Sequence, residues 1–172
     1  MQNANLIVMR HAEARPAGPG DNDFARPLTA FGARDAQRMG AWMREQLVAP
    51  KRVLASPAAR TRETVAAIFD PVAAQSPEFR WDPRLYLADL PQLLEVLAEE
   101  PVSPLLLVGH NPGLEDLILY LLWADEPTTT AMSMPTAGVF ALELPARKGP
   151  IPPGSAKLVA FSSPERLATT GP

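Results

Sequence analysis

The sequence predicts an α/β fold built on a parallel or mixed sheet, and three observations predict it. Short apolar runs alternate along the chain with longer stretches of helical periodicity, as strands do when helices cross between them. Two of the runs are followed within three residues by a polar residue and a proline, Ser56-Pro57 and Asn111-Pro112, the signature of a cap followed by proline in a first helical turn. Finally, three of the runs end in reactive side chains, and ligands of open α/β sheets bind outside the carboxyl ends of strands. With 172 residues, 47% of them hydrophobic, the chain suffices for one core and is short for two domains, so one domain is expected over residues 1–172.

Leu6 to Met9 is the first expected strand. The Gly- and Pro-rich stretch from Ala14 to Pro27 reads as loop. From Thr29, a cap residue, Ala36, Met39, Met43 and Leu47 recur at helical spacing, and Pro50 closes the segment. Arg52 to Ala55 is a second strand, with a helix expected from Ser56-Pro57 to about Phe69. Pro71 to Pro83 reads as a connection with some extended character and Leu85 to Leu87 as a short strand. Asp89 caps a helix to about Glu100, Leu105 to Val108 is a buried strand, and Asn111-Pro112 opens a helix through Trp123. Ala137 to Leu144 and Lys157 to Phe161 close the sheet around the Pro/Gly-rich Pro145 to Gly154, and the tail 163–172 is expected to be loose.

A net charge of -3 and a pI near 5.4 give no broad basic field, so no nucleic-acid partner is expected. The absence of cysteine removes disulfides, thiolate catalysis and cysteine metal sites. No stretch approaches the ~20 apolar residues of a membrane span, and the N-terminal run lacks a cationic leader. Cytoplasmic placement without a membrane partner is the expectation.

The chain has only two histidines, and each stands at the end of an apolar run: Arg10-His11 after the first strand and Gly109-His110-Asn111 after the later one. Ser56 to Arg60 follows the second strand. Two arginines, two imidazoles and two helix N-termini converging on one pocket suit a dianion such as a phosphoryl group, because guanidinium forks match phosphate oxygens and helix N-termini add donors. No acidic cluster stands at these strand ends to hold Mg²⁺, so neither metal nor cofactor is expected. The nucleophile should then be an imidazole. A histidine of ordinary pKa is roughly three-quarters neutral at pH 7, and neighbouring arginines raise that fraction. These considerations leave His11 and His110 equivalent as nucleophiles.

The segments V-M-R-H-A-E-A, R-P-L-T-x-x-G (Arg26 to Gly32), S-P-x-x-R-T-x-x-T (Ser56 to Thr64) and V-G-H-N-P-G-L-E (Val108 to Glu115) together resemble the histidine phosphatase superfamily, which includes the cofactor-dependent phosphoglycerate mutases. In order and spacing they look most like its small bacterial phosphohistidine phosphatases, over about Leu6 to Phe161. The resemblance implies a mixed, mostly parallel sheet with helices on both faces. It also implies His11 as the nucleophile, Arg10 and Arg60 as phosphate clamps, and His110 as a second pocket imidazole, with Asn111 beside them in the substrate site. The expected substrate is a protein phosphohistidine, or alternatively a small phosphomonoester.

Larger members carry an inserted segment bearing a glutamate that protonates an oxygen leaving group; here Asp82 to Leu94 is short. Asp89 and Glu115 are the only candidate acids near strand ends, and Asp89 reads more readily as a helix cap. A weak or absent acid fits a phosphoramidate better than a sugar phosphate, since a phosphorylated imidazole leaves more easily than an alkoxide. Asn111 and Ser56 read equally as ligands and as plain caps, Thr29 more readily as a cap than as a phosphate contact, and Trp42, Trp81 and Trp123 as packing residues. From another functional class, a phosphate-binding module without turnover would use Arg10 and Arg60 alike, though it would have no need of His11.

Overall fold

The structure is a computed structural model, and it describes residues 4–69, 76–100, 103–122, 133–145 and 149–169. Its strands are β1 (Leu6–Arg10), β2 (Arg52–Ala55), β3 (Glu78–Trp81), β4 (Leu105–Gly109), β5 (Val139–Glu143) and β6 (Lys157–Ser162). Five α-helices accompany them: α1 (Ala30–Gln46), α2 (Ala59–Ile68), α3 (Leu90–Ala98), α4 (Gly113–Leu122) and α5 (Pro164–Thr169). The strands form one sheet in the order β3-β2-β4-β1-β5-β6. The pairings β2–β3, β2–β4 and β1–β4 are parallel, whereas β1–β5 and β5–β6 are antiparallel.

The continuous apolar runs are explained by burial on both faces, with side chains alternating between two cores. Leu6 and Val8 of β1, with Leu105 and Leu107 of β4, meet Leu93, Val96 and Leu97 of α3 and Leu114, Leu117 and Leu121 of α4. Ile7 and Met9, with Leu106 and Val108, meet Ala36, Met39 and Met43 of α1 and Val65 and Ile68 of α2. Each helix contributes the residues spaced three and four apart along its sequence, as an amphipathic helix must. Thr29 caps α1 by accepting from the Gly32 amide at 2.9 Å, and Asp89 caps α3 by accepting from the Gln92 amide at 3.0 Å.

Several elements differ from the sequence reading. The helix after β2 starts at Ala59 with Ala58 as its cap, not at Ser56-Pro57, because the Ser56 hydroxyl is engaged with His110. Asn111 does not cap α4: its Nδ2 donates to the Met134 carbonyl and its Oδ1 is buried with no partner among the described residues. Where a strand was expected at Leu85 to Leu87, Pro83–Leu85 form a 3-10 turn, capped by Asp82, which accepts from the Arg84 amide. The extended character expected within the connection from Pro71 to Pro83 is a full edge strand, β3. The tail is not loose over Pro164–Thr169, which form α5 and lay Leu167 against the α1–α2 side core. Trp123, residues 71–75 of the connection and 146–148 of the Pro/Gly-rich segment lie outside the described residues, as do 170–172.

Candidate active site

Parallel pairing of β1 and β4 sets Arg10 opposite Gly109, so the residues that follow, His11 and His110, leave the sheet side by side. Their rings stand edge to face with centroids 5.1 Å apart. From the neighbouring strand end, β2, the chain passes Ser56 and enters α2, which carries Arg60 at its first turn. The three predicted segments therefore meet at one end of the sheet. They open into a cavity of about 380 Å³ lined by Arg10, His11, Arg60, His110, Asn111 and also Glu13, Asp23, Arg26, Leu87 and Thr136. A larger cavity of about 620 Å³ lies elsewhere, among Met43, Leu47, Phe69 and Pro77, and holds none of these groups.

The orientation of His11 is fixed from both sides. Its Nδ1 lies 2.7 Å from the Ala12 carbonyl, an acceptor only, so Nδ1 carries the proton and donates. The lone pair is thereby placed on Nε2, which accepts from Arg60 Nε at 3.2 Å. The backbone beneath is tied to α2: the Ala12 amide donates to Thr64 Oγ1 at 3.0 Å, and that hydroxyl donates to the Arg60 carbonyl at 2.7 Å. Burial, partly opposed by the Ala12 hydrogen bond and reinforced by the positive charges of Arg60, Arg10 and Arg26, pushes the His11 pKa down to about 4.

His110 is only 3% exposed, and burial followed by the nearby His11 and Arg60 pushes its pKa down to about 3. Both imidazoles are thus neutral at pH 7. His110 Nε2 lies 2.8 Å from Ser56 Oγ, while its Nδ1 is buried with no partner among the described residues. Arg10 Nη1 donates to the Met134 carbonyl at 2.9 Å, the carbonyl that Asn111 also uses at 3.0 Å, and its buried Nε has no partner among the described residues. Burial lowers the Arg10 pKa, and Glu115 opposes that shift.

The two acids expected from sequence do not line the cavity. Asp89 is the α3 cap, and Glu115 accepts from the Met134 amide at 2.8 Å, holding the segment whose carbonyl anchors Arg10. The acids that do line it are Glu13, which accepts from the Thr29 hydroxyl at 2.7 Å, and Asp23. Asp23 sits on a 3-10 turn, Asp23–Ala25, capped by Asn22. Its carbonyl accepts from Arg60 Nη1 at 2.7 Å. Its Oδ2 accepts from Arg60 Nη2 at 3.1 Å and from the Tyr86 hydroxyl at 2.6 Å, and its Oδ1 from Arg26 at 2.8 Å. The Tyr86 hydrogen bond, then Arg26 and Arg60, hold its carboxyl down at about 2 despite an opposing cost of burial, and the same contact raises the Tyr86 pKa.

Asp23, Arg26 and Tyr86 are the neighbours that sequence reasoning assigned no role in the chemistry, whereas Ser56, read equally as cap and ligand, lies against the His110 ring. Arg26 lay within the R-P-L-T segment and could have been flagged there; nothing local marked Asp23 or Tyr86. Among the described residues no group of three or more His, Asp or Glu side chains is placed to hold a metal ion, and no helix is long and apolar enough to cross a membrane.

The site can be set beside known proteins. Residues 6–85 match the family model for the histidine phosphatase superfamily (branch 1). The chain is 35% identical over 164 residues to an uncharacterized protein of Mycobacterium tuberculosis, covering 91% of this chain and 99% of that one. It is 30% identical over 139 residues to the phosphohistidine phosphatase SixA of Escherichia coli, covering 76% and 84% of the two chains. A candidate SixA phosphohistidine phosphatase from Agrobacterium tumefaciens superposes with a TM-score of 0.78 at 26% identity, covering 93% of this chain and 97% of that one. With the four sequence segments gathered at one end of a sheet of this topology, the chain belongs to the histidine phosphatase superfamily.

Proposed function

We propose that the protein is a metal-independent phosphatase that removes the phosphoryl group from a protein phosphohistidine through a covalent phosphohistidine on His11. The observation that carries the reading is the pair of contacts around that ring. The Ala12 carbonyl keeps the proton on Nδ1, and Arg60 marks where the Nε2 lone pair points. The ring is also neutral at neutral pH, so no proton has to be removed before attack.

In the first step the Nε2 lone pair attacks phosphorus in line. Arg60 turns its guanidinium from His11 to the phosphoryl oxygens, and Arg10 takes a further oxygen, so the charge spread over the equatorial oxygens meets preorganised donors. His110 contributes a neutral donor. Ser56 Oγ, which accepts from the Ala58 amide at 3.4 Å, donates a hydrogen bond to His110 Nε2, and the buried Nδ1–H then has a phosphoryl oxygen as acceptor. The P–N bond to the substrate breaks with its electron pair passing to the substrate nitrogen. In the second step water attacks the phosphorus on His11, and both of its protons leave with the product as dihydrogen phosphate. The P–Nε2 pair returns to the ring, and Nδ1 keeps the proton that Ala12 has held throughout.

The sequence relatives named for phosphohistidine phosphatase activity support the substrate class, as does the Asp23 carboxyl in the cavity, which is held ionised and so is no proton donor to an alkoxide. The test is a substrate comparison on purified protein: a phosphohistidine peptide against sugar phosphates and p-nitrophenyl phosphate. The peptide should have the highest kcat/KM. A sugar phosphate exceeding it would make the enzyme a small-molecule phosphomonoesterase, and oxyanion binding without turnover of any substrate would make it a binding module.

A further inference from the structure

Asp23 is a carboxylate placed inside a site that has to bind a dianion, which calls for a reason. Electrostatically it opposes the phosphoryl group, yet it is held in the pocket by Arg60, Arg26 and Tyr86. Its position relative to the nucleophile supplies the reason. Arg60 reaches His11 Nε2 with its Nε and Asp23 with both Nη atoms. A phosphoryl group seated on this guanidinium therefore has the attacking nitrogen toward one end of the fork and the Asp23 carboxylate toward the other.

We propose that Asp23 is a substrate-contacting specificity residue: its carboxylate accepts the N–H of the departing imidazole ring and so selects phosphoimidazole over phosphate-ester substrates. The inference rests on the phosphohistidine reading above. Its chemistry follows from what each leaving group needs. A phosphorylated imidazole with its second nitrogen protonated departs as neutral imidazole: the P–N pair goes to the ring nitrogen and the N–H stays in place. Without that proton it must depart as imidazolate, a far poorer leaving group. An anionic acceptor favours the protonated ring. An alkoxide needs the reverse, a proton donor, and a carboxyl held ionised by two arginines and a tyrosine hydroxyl cannot be one.

His11 obeys the same requirement, since its own phosphorylated ring keeps its N–H on the Ala12 carbonyl. The two rings exchanging the phosphoryl group would thus each have an acceptor supplied by this chain. Room at Asp23 arises through exchange: when Arg60 Nη2 turns to phosphoryl oxygens, Oδ2 loses that donor and can take the substrate N–H, with Tyr86 and Arg26 keeping the carboxylate in place.

The experiment measures kcat/KM of wild type, Asp23→Asn and Asp23→Glu on a phosphohistidine peptide and on p-nitrophenyl phosphate, whose phenolate leaves without an N–H to be held. Loss of a charged hydrogen-bond acceptor should lower the peptide value about ten- to a hundredfold more than the ester value in Asp23→Asn. Asp23→Glu, which keeps an anion, should retain a clear preference for the peptide. Parallel loss on both substrates in Asp23→Asn would overturn the proposal and reduce Asp23 to a tether for Arg60. If Asp23→Asn does not fold, as seen by thermal melting with and without tungstate, loss of the preference in a folded Asp23→Glu would overturn it instead. A wild-type enzyme that turns over the ester but not the peptide would fail the phosphohistidine reading itself, a separate result.

Discussion

The Nε of Arg60 points at the Nε2 of His11 across 3.2 Å, although the two are separated by 49 positions in sequence. Arg60 is 1% exposed, and its Nη atoms are held by Asp23. A guanidinium already buried beside the nucleophile has only to exchange hydrogen-bond partners when the phosphoryl group arrives.

Arg60→Ala should therefore lower kcat by about two to three powers of ten, the scale for removing one preorganised donor. Arg62, two residues on, donates to the Pro57 carbonyl and lies over the Trp81 ring, outside the cavity. Steady-state kinetics of Arg62→Ala should stay near wild type; equal losses in the two variants would misplace the clamp.

Because the chain has only two histidines, its imidazole signals can be followed by NMR without ambiguity. The two rings should titrate near pH 4 for His11 and near pH 3 for His110, with His11 in the Nδ1–H form throughout the neutral range. Between the ordinary histidine pKa and these depressed values the unfolded chain binds protons that the folded one does not. Stability carried by the two neutral rings is complete above about pH 6.5 and is lost as pH falls toward 4 and then 3. Midpoints near 6.5 in the folded protein would remove the burial on which this rests.

Gly113 opens α4 immediately after the His110 segment, and a Cβ there would fall 1.9 Å from the Ala88 carbonyl oxygen. That neighbour is backbone and cannot turn aside. Gly113→Ala should destabilise the fold by about 1–3 kcal/mol or more, the range for overpacking, with a matching drop in Tm. Gly109→Ala should cost less, since its nearest neighbour is the flexible Leu114 side chain at 3.4 Å. Thermal melts of the two variants decide the order.

What was legible in the sequence follows from where each signal resides. Arg10, His11, Arg60 and His110 stand at or just after the ends of apolar runs, so the rule that ligands gather at strand carboxyl ends grouped them, and the family segments gave each its expected role. Asp23 was illegible because its place in the cavity is set by partners at separations of 37 and 63 residues, while its own surroundings are a Gly- and Pro-rich loop. The edge strand β3 was read as connection because its side chains are exposed or half-buried, which erases the apolar pattern of the inner strands. Ser56 shows the converse failure: a cap signature is local, and the pull of His110 on its hydroxyl is not.

Activity should survive EDTA, since Arg10, Arg60 and the two imidazoles supply the polarity around the phosphoryl group from side chains. Tungstate or vanadate should inhibit competitively by occupying the same donors. Loss of activity on chelation, restored by a divalent ion, would require a metal-dependent mechanism.

The covalent step gives the most direct test of His11. If its Nε2 attacks phosphorus, a rapid quench with labelled substrate traps phosphate on nitrogen, a linkage that acid destroys and alkali spares. The label should lie on the peptide bearing His11, and His11→Ala should abolish both label and turnover. His110→Ala removes a donor but leaves the nucleophile with its Ala12 contact, so turnover should fall steeply while slow labelling of His11 persists. Label on His110 in the His11→Ala protein would reverse the two roles. An acid-stable label on Ser56, whose hydroxyl is 2.8 Å from the His110 ring, would replace the mechanism with a serine nucleophile and an imidazole base.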